Sequence, residues 1–97
     1  MTSIVSWSGG KDSCLALWRA KSDRQITGLL TALDETGLKA RSHGVSRALL
    51  QAQARALGLP CVFFSSGWKD YEASFIQCLQ SAYARGVREV IFGDIDL

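Results

Sequence analysis

The sequence is poor in the residues that build metal and redox centres. It has one histidine, one proline and three cysteines, and Cys14, Cys61 and Cys78 stand too far apart to make a C-x-x-C pair. That spacing excludes a thioredoxin-like redox motif and a zinc knuckle. The thiols read instead as buried, unpaired cysteines suited to a reducing compartment. Charge of one sign is also lacking, since eleven basic against nine acidic side chains leave a net +2. So small an excess marks a solvated surface rather than a nucleic-acid binder. No apolar run approaches a membrane span, and no basic segment followed by a long apolar core opens the chain. These absences describe a cytoplasmic protein without a membrane partner and with nucleic acid disfavoured.

Apolar residues fill 47% of the 97 positions, enough for one small domain with a modest core. No repeat, linker or low-complexity tract divides it. Short apolar runs alternate with helical spacing instead. Residues 3–7 read as a strand. From 12 to 20, Cys14, Leu17 and Trp18 recur three and four apart and are expected on the buried face of a helix. Residues 26–33 suit a buried strand, and 34–43 a polar connection. Val45, Leu49, Ala52 and Ala56 mark a second helix, stopped by Gly58 and Pro60. Residues 61–64 form a third strand. Tyr71, Phe75, Cys78, Leu79 and Ala82 stripe a third helix closed by Gly86, and residues 87–92 make a fourth strand.

This alternation implies right-handed crossovers and a three-layer, Rossmann-like α/β fold, a parallel sheet of about four strands with flanking helices. Ligands of such sheets bind beyond the carboxyl ends of the strands, where the strand order reverses. The loops at 8–13, 31–43, 65–69 and from 93 onward qualify by position.

The first of these loops carries the chemistry. It reads Ser8-Gly9-Gly10-Lys11-Asp12-Ser13, between a strand and a helix. Two glycines let the main chain take positive φ and approach a ligand with no Cβ in the way. The helix behind them offers unpaired N–H groups and the positive end of its dipole, an anion site suited to phosphate. Lys11 adds a mobile charge, and Ser8 and Ser13 add hydroxyl donors. Asp12 would repel a bare polyphosphate, so it either caps the helix or holds Mg²⁺ against the phosphates. The alternative is a plain tight turn capped by Asp12. The Walker pattern fails, because Val5 stands where its first glycine belongs and Asp12 where Ser or Thr must follow the lysine. The dinucleotide G-x-G-x-x-G is absent as well.

SGGKDS in this setting resembles the pyrophosphate-binding (PP) loop of the N-type ATP pyrophosphatases, the adenine nucleotide alpha hydrolase-like superfamily with its HUP-type fold. Further stretches are similar to one branch, the diphthine–ammonia ligase family: "LLTAL", "HGV", "QARALGLP", "GWKDYEASF" and "GVREVIFGDI". The resemblance covers residues 1–97 and implies an ATP-binding domain that ends before the family's C-terminal substrate region.

It implies ATP and Mg²⁺ as cofactors, and a carboxylate-bearing acceptor, such as a modified protein residue, that ammonia converts to an amide. ATP would adenylylate the carboxyl group, which needs a better leaving group than its own oxygen, with pyrophosphate and then AMP released. Lys11, Asp12 and Asp94 are the implied catalytic residues. Ser8, Gly9, Gly10, Lys11, Asp12, Ser13, Thr31, His43 and Gly93 would hold nucleotide, with Thr31 on the adenine side and Asp12 on the metal.

Several of these positions have ordinary readings beside the functional one. His43 equally suits an exposed loop residue capping the next helix, and Asp94 a solvated cap. Trp68 and Tyr71 suit core better than a substrate wall, and Arg41 and Arg47 suit solvated surface. Two other functions remain open: a tRNA-modifying PP-loop ATPase, and a non-catalytic ATP-binding module comparable to universal stress proteins. An apolar wall left uncovered beside the fourth strand would favour a homo-oligomer.

Overall fold

In the computed structural model the described residues are 2–40, 44–65, 67 and 69–92. They form β1 (Thr2–Ser6), α1 (Lys11–Ala20), β2 (Gln25–Leu33), α2 (Arg47–Leu57), β3 (Cys61–Ser65), α3 (Tyr71–Ala84) and β4 (Glu89–Ile91). The four strands make one parallel sheet in the order β3-β2-β1-β4. The Rossmann-like α/β arrangement expected from the alternation is therefore the observed fold.

Side-chain alternation along the strands divides the core into two layers. Val5, Trp7, Leu29, Leu33 and Phe63 pack on one face with Leu17 of α1 and Leu50 and Ala54 of α2. Ile4, Leu30, Phe64 and Val90 pack on the other with Phe75, Cys78, Leu79 and Ala82 of α3. One slip interrupts the β1–β2 register, where Ser3 faces Ile26 but Ile4 faces Gly28. Gly28 sits close against β3, since a Cβ there would lie 3.2 Å from the Pro60 carbonyl oxygen.

Two helices present faces other than those expected. α1 buries Ser13, Ala16, Leu17 and Ala20, whereas Trp18 is 66% exposed and Cys14 is also exposed. Small residues at three of the four buried positions let α1 lie close against the sheet, and large Trp18 is displaced outward. α2 buries Leu50 and Ala54, while Leu49 is half-exposed and Ala52 and Ala56 face solvent. Cys61 and Cys78 are only partly buried.

The stops read from sequence are present. Gly58 ends α2 at φ 73°, and Ser46 caps its start by accepting a hydrogen bond from Leu49 N. Among the described residues no helix is long and apolar enough to cross a membrane.

Candidate functional site

β1 lies at the reversal of strand order, with β2 on one side and β4 on the other. The loop leaving its carboxyl end therefore enters the crevice where ligands of such sheets bind. Three hydrogen bonds fix the residue before that loop. Trp7 N donates to Leu30 O (2.8 Å), the Thr31 hydroxyl donates to Trp7 O (2.6 Å), and the Trp7 indole N–H donates to Gln53 Oε1 (2.9 Å).

The chain then turns through Gly9 at φ 83°. Gly10, extended at φ −92° and ψ 176°, is the residue before the first turn of α1, and no side chain caps it. The first intrahelical donor is Cys14 N, bonded to Gly10 O at 3.2 Å. The amides of Lys11, Asp12 and Ser13 thus have no partner within the helix and stand at the positive end of its dipole. Asp12 does not cap the helix, which removes one of the two roles open to it.

Ser13 is buried and closes the loop from inside. Its hydroxyl donates to Gly10 O (3.1 Å) and accepts from Ser8 N (3.4 Å), with the Ser8 hydroxyl 3.5 Å away. Ser8 is only partly buried. Lys11 and Asp12 project outward, their side chains 93% and 65% exposed, and pair at 3.3 Å. An ion pair so exposed contributes little to stability.

The reason Gly9 is a glycine is tertiary. A Cβ at this position would lie 3.0 Å from Leu50 Cδ2, 3.1 Å from Gln53 Oε1 and 3.3 Å from Val45 Cγ1. The loop rests directly on the start of α2, and the absent side chain admits a helix. Sequence reasoning missed this support. Its signal was Gln53, a polar residue three positions after Leu50 on the buried side of α2.

Thr31 sits inside the core at 2% exposure, its hydroxyl committed to the Trp7 carbonyl. It shapes the loop from behind and does not line open space. His43, Gly93 and Asp94 lie outside the described residues, as do Arg41 and Trp68. Tyr71 packs its ring on Phe75 and Phe64, which agrees with a core role.

Within residues 34–43, expected as a polar connection, the described residues 34–40 hydrogen-bond to one another and to the residues leading into α2. Asp34 N donates to Lys39 O, Ala40 N to Val45 O and Arg47 N to Leu38 O. The Asp34 carboxylate accepts from the hydroxyl and amide of Thr36, and the hydroxyl bond chiefly holds its pKa below the ordinary value.

The donor set fits a polyphosphate: three amides without a partner among the described residues, a dipole end, an exposed ammonium and a preformed turn. Among the described residues no three His, Cys, Asp or Glu side chains gather as a metal cage. A single loop carboxylate suits Mg²⁺, which commonly binds through one or two carboxylates plus phosphate oxygens.

Comparison with curated proteins gave no match. A family described as the diphthamide synthase N-terminal domain matches residues 1–97, and this chain, a domain of the ATP pyrophosphatase type, belongs to that family.

Proposed function

We propose that the domain binds Mg·ATP at the β1–α1 loop and serves an amide ligase. In that reaction a substrate carboxyl group is adenylylated and then amidated by ammonia, with release of pyrophosphate and AMP. The uncapped start of α1, held against α2 by Gly9 and Gln53, carries this reading. A turn serving only to connect strand and helix would gain from a capping side chain, worth about a few tenths of a kcal/mol over glycine. Here that stabilisation is forgone, and the amides have no partner among the described residues.

The roles follow from position. The amides after Gly10 and the Lys11 ammonium hold the phosphate tail, and Lys11 neutralises charge as pyrophosphate departs. The Ser8 hydroxyl adds a donor at the rim. Ser13 and Thr31 keep the loop in shape through Gly10 O and Trp7 O. Asp12 faces solvent beside Lys11 and would share Mg²⁺ with the phosphates. Metal bound there would spread the charge of the leaving pyrophosphate. By sequence position, His43, Gly93 and Asp94 would complete the site from the loops after β2 and β4.

Incubation with ATP, Mg²⁺, ammonium and candidate carboxylates tests the proposal. AMP and pyrophosphate are the expected products. ADP and phosphate would refute the chemistry, bound ATP without turnover would indicate a binding module, and salt-sensitive tRNA binding would favour the tRNA-modifying alternative.

A further inference from the structure

The sheet edge at β3 combines three features that the nucleotide site does not use. First, β3 pairs only with β2 among the described residues. Leu29 N donates to Pro60 O, and Leu29 lies opposite Cys61. In a parallel ladder this register turns Pro60, Val62 and Phe64 toward β2. The N–H and C=O groups of Cys61 and Phe63 therefore point away from the sheet, and such an edge is a template for another strand.

Second, α2 lines this edge with cations. Arg47, Gln51 and Arg55 border an open groove of about 410 Å³ together with Cys61 and Phe63. The Arg47 guanidinium stacks 4.9 Å from the centre of the Phe63 ring. α2 contains no acidic residue, and among the described residues neither arginine has a carboxylate partner. Burial also pushes the Cys61 thiol up from its ordinary pKa, which keeps it uncharged. On the opposite face of β3, Val62 is 42% exposed and offers an apolar contact.

Third, the spacings match. Arg47 and Arg55 are eight helical residues apart, about 12 Å along the axis. In an added strand, residues i and i+4 share a face and lie about 13 Å apart. We infer that β3 and α2 form a docking edge for an extended acidic peptide segment of a partner protein, with carboxylates four residues apart meeting Arg47 and Arg55 and its backbone extending the sheet. A second copy of this chain fits poorly. Antiparallel β3–β3 pairing about a two-fold axis normal to the sheet would set one arginine row against the other.

The test uses a fluorescein-labelled nonapeptide of alternating Thr and Val with Glu at positions 3 and 7, titrated by anisotropy. Saturable binding is expected, with slowed hydrogen exchange at the Cys61 and Phe63 amides. Binding should fall at least about tenfold for Arg47→Ala/Arg55→Ala, and likewise when the two peptide glutamates become glutamines. Both arginines are exposed, so circular dichroism should show these variants folded, and Arg47→Lys/Arg55→Lys should recover part of the affinity. N-methylation of the peptide amides that face β3 should abolish binding. Binding indifferent to the arginines or to N-methylation would overturn the inference. So would dimerisation through β3 without peptide binding, or single-stranded RNA occupying the arginines while the peptide does not bind.

Discussion

Gly9→Ala separates two reasons for a glycine in the loop. If the residue were bare only to admit a ligand, alanine would cost the unliganded protein no more than the strain of its positive φ. The structure demands otherwise. Gly9 has φ 83°, a region that costs an L-residue about 1–2 kcal/mol. The new methyl would also meet Leu50, Gln53 and Val45 at 3.0–3.3 Å. Leu50 is fully buried, and Gln53 is tied to the Trp7 indole, so neither yields freely. Overpacking of this kind costs about 1–3 kcal/mol.

The sum, about 2–5 kcal/mol, is a large share of the 5–15 kcal/mol that holds a typical domain together. Urea unfolding without nucleotide should show a midpoint lowered by that amount over m, with m itself unchanged. In a thermal scan, each kcal/mol corresponds to about 4–8 °C for a domain near this size. A loss no larger than the about 1–2 kcal/mol of the φ strain alone would refute the packing argument, whatever happened to ATP affinity.

Lys11→Ala should behave in the opposite way. The side chain is 93% exposed, so stability should move by less than about 0.5 kcal/mol while ATP affinity falls at least tenfold in a calorimetric titration. Thr31→Val removes the buried hydroxyl bond to Trp7 O and should cost about 1–3 kcal/mol by urea unfolding. The third concerns pH. Hydrogen bonds from Ser3 and then Arg24 lower the Glu89 pKa. A depressed carboxylate stabilises the fold above its unfolded-state pKa, and that stability is lost as pH falls through the folded value. Wild type should therefore lose more stability than Glu89→Gln between pH 6 and pH 3, and parallel curves would exclude the linkage.

How much was legible in the sequence varies by element. Strands β2 and β3 are apolar runs, and buried parallel strands are recognised by that continuity. Gly58 and Pro60 announced the end of α2 through backbone geometry alone. The helix faces were harder. In α1, Cys14, Leu17 and Trp18 form an apolar stripe, yet Ser13, Ala16, Leu17 and Ala20 form another at the same period. Hydrophobicity favours the first stripe. The closeness of helix to sheet selects the second, because small side chains allow shorter approach, and no local window contains that distance.

Local chemistry was enough to place six residues, Ser8 to Ser13, as a glycine turn between a strand and a helix. The residue types set the backbone freedom, the charge and the start of α1. What holds that turn in place was decided by the fold. Gln53 and Leu50 lie more than forty positions along the chain and meet Trp7 and Gly9 only because the β2 crossover lays α2 beside the β1 terminus. Thr31 likewise became a brace for Trp7 O because strand pairing put the end of β2 next to β1. Conformational preference acts between neighbours and can be read along the sequence. Hydrogen bonds and excluded volume between distant residues depend on how the strands are ordered, and those contacts exist only in three dimensions.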